Sequence, residues 1–163
     1  FEFGTCSGKT TYLMGLNSNP DTEITSVTLS KNNVCDVSKK KEDNEVSYRN
    51  IINESIYSKF LFSGEEVENK IKVIFQNSLE FNHQEYMGKM DLIFIDGGHT
   101  YSVVKNDSEK AFGMLSKNGI ILWHDYVPGK QSAKDVVKYI HEISKNKEIL
   151  NIKGTTLAYF KNE

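Results

Sequence analysis

Asp91–Tyr101 reads DLIFIDGGHTY, and its two halves follow different rules. Asp91 to Asp96 is a short apolar run closed by Gly97-Gly98, the pattern of a strand buried on both faces of a parallel sheet. Beyond the glycines, Val104, Ala111 and Leu115 mark a helix that Asn118-Gly119 closes as a C-cap. Ile120 to Trp123 (IILW) is the next strand. Strands alternating with helices are the pattern of a parallel sheet, whose neighbours need right-handed crossovers.

The same alternation extends outward in both directions. Upstream, Phe1 to Gly4 is the end of a buried strand, Gly8 to Gly15 the helix after it, Ile24 to Leu29 a second strand and Ile71 to Phe75 a third. Downstream, Ala133, Val136, Val137, Ile140 and Ile143 form a helical stripe, and Ile149 to Ile152 with Thr156 to Phe160 read as two closing strands. His141 lies off that stripe on a solvated face and is given no role. Between the second and third strands, Lys31 to Asn50 carries the charge run Lys39 to Asp43 and reads as a solvated loop, the alternative being a cover over a site. Tyr48 to Phe62 has Ile51, Ile52, Ile56, Tyr57 and Phe60 at helix-like spacing. Alternating strands and helices predict a doubly wound α/β sheet, whose ligands bind beyond the carboxyl ends of the strands.

Composition narrows the function classes. The 163 residues correspond to one domain with a real core. A net charge of -2, with Arg49 the only arginine, leaves no electrostatic footprint for nucleic acid. No apolar run approaches the ~20 residues of a membrane span. Cys6 and Cys35 lack both a C-x-x-C spacing and a dense framework, so two free thiols in a reducing, cytoplasmic compartment are expected. The sequence opens at Phe1 already inside a strand, and an N-terminally truncated domain over 1–163 is the expectation.

Four strand ends carry polar or glycine-rich groups that would meet in one crevice: Gly4 to Gly8, Gln76-Asn77-Ser78, Asp96 to His99, and His124-Asp125-Tyr126. The first invites comparison with a triphosphate loop, since Gly8-Lys9-Thr10 ends like one. Phe3, however, stands where the opening glycine is required.

Taken in order, E-x-G-x-x-x-G after the first strand, FIDGGHTY (Phe94 to Tyr101), Asp107, and NGIILWHDY (Asn118 to Tyr126) resemble a class I S-adenosylmethionine-dependent methyltransferase. The likeness is to the small-molecule, O-methyltransferase-like branch with I-D-G-x-H and H-D-Y motifs. Lys153 to Leu157 resembles the approach to its final strand. The resemblance implies a Rossmann-like, mostly parallel sheet of about seven strands, the last antiparallel, with helices on both faces. It implies that Glu2 lies under the methionine end of the cofactor and that Gly4, Thr5 and Gly8 let the backbone approach it. Asn77 and Ser78 would meet the adenine edge, with Asp96 and His99 beside the sulfonium and the acceptor. The second strand departs from the pattern: where an acid bridges the ribose hydroxyls, this chain has Thr28, Leu29 and Ser30. Ser30 then makes part of the contact, or Asp36 supplies the carboxylate from the loop.

A hydroxyl acceptor needs a base or a metal that acidifies it. His99 is the base candidate, and His124 competes with it. Asp96 and Asp125 end adjacent strands and could share Mg²⁺ or another divalent cation, the alternative being two carboxylates that accept loop N–H bonds and polarise a histidine. Tyr126 occupies the place of a third ligand, for which a phenol is poor. Asp107 is expected near the first turn of its helix, favoured by the dipole. Trp123 is expected in the core, and Cys6 as a small loop residue. The expected function is O-methylation of a small hydroxylated acceptor, of sugar or natural-product type, with 31–62 near its pocket and a homo-oligomer left open. The alternatives are a nucleotide-binding NTPase, a nicotinamide oxidoreductase, and a non-catalytic member of the methyltransferase fold.

Overall fold

A computed structural model describes residues 1–32, 38–55 and 57–163. Seven strands form one sheet in the order β3-β2-β1-β4-β5-β7-β6. They are β1 (Glu2–Phe3), β2 (Ile24–Thr28), β3 (Ile71–Phe75), β4 (Met90–Ile95), β5 (Leu115–Trp123), β6 (Leu150–Asn151) and β7 (Ala158–Lys161). The first five run parallel, and β7 is antiparallel to both β5 and β6. The helices are α1 (Lys9–Leu16), α2 (Glu45–Glu54), α3 (Tyr101–Met114) and α4 (Lys134–Ile143). The chain starts at the centre, moves out to β3, then crosses back to β4 on the other side of β1. That reversal opens a crevice between β1 and β4, where an open α/β sheet binds its ligands.

Alternation along the strands assigns the two faces. Phe3, Ile93, Ile95, Ile121, Trp123 and Ala158 point to one side and are all at most 4% exposed. α3 covers them with Val104, Ala111 and Met114, and α4 with Val136 and Ile140. Trp123 is core, as its place in the strand predicted: its Nε1 donates to Ser108 Oγ at 2.8 Å, and that hydroxyl donates to Val104 O. On the other face Glu2 and Ser26 are fully buried beneath α1. α1 packs closely on the 3-10 turn at Glu66–Lys70, just before β3, because Gly15 is bare. A Cβ at that position would lie 2.2 Å from Val67 Cγ2.

Several boundaries differ from the sequence reading. β4 is buried on both faces only in its second half: Leu92 is 37% exposed and Ile93 0%. α3 ends at Met114, not at Asn118-Gly119, because Leu115 already pairs with Met90. The next paired residues are Leu92 and Ile120, so Ser116 to Gly119 bulge out of the ladder. Asn118 there has φ 63°, and a Cβ on Gly119 would meet Met90 O at 2.9 Å. The Tyr48–Phe62 helix is instead α2, ending at Glu54, and Phe60 and Phe62 pack with Val67 in a separate cluster.

The Lys31–Asn50 stretch is not uniformly solvated. Asp43 and Ser47 are buried. Asp43 accepts from Ser102 N and Ser102 Oγ at the start of α3, both at 2.9 Å. Asp135, at the start of α4, accepts from Asn44 N and from Tyr101 N. Two carboxylates thereby satisfy the open N–H groups of a helix start and clamp the approach to α2 across the sheet edge. Asp36 and Cys35 lie outside the described residues.

Candidate functional site

The crevice is built first from backbone. Asp96 N donates to Phe3 O, and Gly4 N to Val27 O, which places the turn after β1 between its two neighbours. Gly4 has φ 95°, and a Cβ there would lie 2.3 Å from Asp96 O and 2.6 Å from Gly97 Cα. The glycine is therefore required by contact between two protein loops, independently of any ligand. Gly8, at φ 79°, begins α1 against Phe60 and Phe62, where a Cβ would come within 2.7 Å of Phe62 Cε1.

Beneath the turn lies a chain of side-chain hydrogen bonds. Ser26 Oγ donates to Glu2 Oε2 at 2.6 Å, and Thr11 Oγ1 donates to the same oxygen. Ser26 has spent its only proton, so the 2.7 Å contact between Thr5 Oγ1 and Ser26 Oγ runs from Thr5 to Ser26. Burial pushes the Glu2 pKa up to about 7, against the lowering effect of its Ser26 and Thr11 donors.

Above the turn is a cavity of about 260 Å³. Gly4, Asn77, Ser78, Asp96, His99, His124 and Asp125, all singled out from sequence, line it. Glu2, Thr5, Gly8 and Ser30, expected at the cofactor, are not among its lining residues; the first two belong to the network underneath. Val27, Leu29, Ile51 and Val103 give it apolar walls, with Ile51 from α2 and Ser55 from just past its end. Lys9 is exposed and outside the cavity, as a triphosphate-binding lysine would not be.

At the β4–β5 boundary two carboxylates and two imidazoles converge. His99 Nε2 is 3.2 Å from Asp125 Oδ2 and 3.6 Å from Asp96 Oδ1. His124 Nδ1 is 3.0 Å from Asp96 Oδ1 and 3.7 Å from Asp125 Oδ2. Burial raises the Asp96 pKa, but the His124 and His99 rings outweigh it and hold the carboxyl below its usual value. The Asp96 carboxylate in turn lifts His124 above the ordinary imidazole value, against burial. Asp125 has φ 54°, an uncommon conformation for a non-glycine residue and one that recurs where side chains are aimed at a ligand. Asp96, His124 and Asp125 each offer one donor atom, all within 4.8 Å of one another, which fits a divalent cation. Tyr126 is turned away: its hydroxyl lies 3.0 Å from Nε2 of the exposed His141.

Asp107 is placed differently from the sequence expectation. It sits in the second turn of α3, 1% exposed, and lines the cavity. Asn106 Nδ2 donates to its Oδ1 at 2.8 Å, while its buried Oδ2 has no hydrogen-bond partner. Burial pushes its pKa up to about 6, against the lowering effects of Ser78, Asn106 and Lys110. The only sequence signal for this was an acid on the apolar side of a helix.

The profile of a protein family described as a methyltransferase domain matches residues 1–126. No curated protein matches the sequence. Among solved structures, the chain is similar to the O-methyltransferase TomG from Streptomyces achromogenes, described as involved in tomaymycin synthesis and solved with S-adenosylmethionine: TM-score 0.62, 11% identity, 99% of this chain and 72% of that one. It is similar to S-adenosylhomocysteine-bound PaMTH1 from Podospora anserina, with TM-score 0.63, 16% identity, and 99% and 69% covered. A third likeness is to the O-methyltransferase NovP, with TM-score 0.64, 13% identity, and 99% and 70% covered. At these identities the likeness is one of fold.

Proposed function

We propose, from the premise that the chain belongs to the methyltransferase-domain family, that it transfers a methyl group from S-adenosylmethionine to a hydroxyl of a small acceptor. The observation that carries this reading is the meeting of four strand ends in one cavity, with Asp96, His99, His124 and Asp125 at its floor. S-adenosylmethionine, when bound, supplies a methyl on a positively charged sulfur, already activated for in-line transfer to oxygen.

The residues divide the remaining work. The turn after β1, which lines the cavity at Gly4 and Cys6, receives the amino-acid end of the donor, while Glu2 and Thr5 hold that turn from below. Asn77 and Ser78, which line the cavity, face the adenine, and the end of β2 at Thr28 and Leu29 lies on the ribose side. The apolar walls at Leu29, Ile51 and Val103 keep water from the transferring carbon. His99, held between two carboxylates, takes the acceptor's proton. Asp96 and Asp125 would hold a divalent cation, which when bound would acidify the same hydroxyl. The acceptor class we assign is a sugar or natural-product hydroxyl, reached from the α2 side.

Calorimetric titration tests the donor site: S-adenosylhomocysteine should bind and ATP–Mg²⁺ should not. His99→Ala should lower turnover by about 100-fold with cofactor affinity intact, in the range of a lost general base. Binding of ATP alone would overturn the reading.

A further inference from the structure

The loop after β3 lines the cavity at Gln76, Asn77 and Ser78, and the main-chain oxygens of Asn77 and Ser78 are already engaged. Asn77 O accepts from Glu80 N and Phe81 N, and Asn77 Oδ1 accepts from Leu79 N at 3.1 Å. Ser78 O accepts from Asn106 Nδ2 at 3.1 Å and from Lys110 Nζ, which also donates to Leu79 O. These oxygens have little left for an N–H donor on a bound ligand.

Asp107 has an oxygen to spare. It lines the same cavity and is 1% exposed. Asn106 Nδ2 ties it to the loop, with one hydrogen on Ser78 O and the other on Asp107 Oδ1 at 2.8 Å. Oδ2 lies against the glycine turn after β4, where a Cβ on Gly97 would stand 3.2 Å from it, and has no hydrogen-bond partner among the described residues. The Lys110 ammonium is drawn to the loop carbonyls instead. A carboxylate oxygen kept from water without a donor is costly, and a ligand that brings the donor relieves that cost.

We propose that Asp107 reads the 6-amino group of the donor's adenine, so that the site selects an adenosyl over an inosyl cofactor. This rests on the reading that the cavity holds S-adenosylmethionine with its base beside Asn77 and Ser78. In that reading the ammonium lies toward Gly4 and Cys6 and the ribose hydroxyls toward Thr28 and Leu29, which leaves the amino group for Oδ2. In an inosyl cofactor a carbonyl oxygen replaces the amino group. Two acceptors then oppose each other where neither can turn to water, and an ionised carboxylate has no proton to offer.

The test is calorimetric titration at about pH 8, where the Asp107 carboxyl is ionised. The parent protein should bind S-adenosylhomocysteine about 100-fold more tightly than S-inosylhomocysteine. Asp107→Asn can turn an amide N–H to the carbonyl oxygen, and should shrink that preference by about tenfold or more. A residue that only held the fold would change both affinities alike. The homologue whose purine carries no 6-substituent tests the contact without a variant, and should bind the parent about tenfold more weakly than S-adenosylhomocysteine. Equal affinity of the parent for the adenosyl and inosyl forms, no loss on removing the amino group, or an unchanged preference in Asp107→Asn would each overturn this inference alone. Failure of S-adenosylhomocysteine itself to bind would overturn the methyl-transfer reading, and this inference with it.

Discussion

At the scale of single residues, Asp107 carries the clearest cost. Its carboxyl ionises at about 6 in the fold against a usual value of 3.8. Below 3.8 both folded and unfolded chains are protonated and the residue contributes nothing. Between the two values the folded chain keeps a proton that the unfolded chain has lost, so stability falls as pH rises, and above 6 the loss is complete at about 3 kcal/mol. Asp107→Asn should therefore be more stable than the parent near neutral pH, with the difference vanishing below about pH 4, read from urea unfolding across that range. Gly4 gives the opposite expectation. Gly4→Ala forces a Cβ into the Asp96 carbonyl at an unfavourable φ, and should cost about 2 kcal/mol or more and abolish cofactor binding, measured by thermal unfolding and titration.

Among the elements, the clamp on α2 is the part that strand and helix patterns did not convey. Asp43 looked like the end of a charged surface run. It is buried because Ser102, 59 positions away, supplies its donors, and Asn44 is held by a partner 91 positions away. Such pairings leave no local trace. The strand ends were legible for the opposite reason: glycine turns, acids and histidines directly after apolar runs are local signals, and Asn77, Asp96, His99, His124 and Asp125 all line the cavity. The bulge after Met114 was misread because Asn118-Gly119 satisfies a helix stop and a strand bulge equally. Asp43→Ala removes acceptors from the start of α3. The variant should cost about 1–2 kcal/mol and speed amide hydrogen exchange in α2 far more than in β4 or β5.

For the molecule as a whole, ligand binding and folding are coupled through the crevice, since no single element forms it. S-adenosylhomocysteine at 100 times its dissociation constant should add about 2.7 kcal/mol, raising the unfolding midpoint of a chain this size by roughly 5–10 °C. No helix among the described residues is long and apolar enough to cross a membrane. The doubly wound sheet was legible because strand and helix patterns alternate along the chain, whereas the strand order, with its return from β3 to β4 beside β1, leaves no local signal.

Ile51, on α2, and Ser55, just past its end, line the cavity, and the approach to that helix is fastened by Asp43 and Asp135. Replacing Asp43 should loosen that wall of the cavity. The dwell time of bound S-adenosylhomocysteine, followed by stopped-flow displacement, should accordingly shorten in Asp43→Ala.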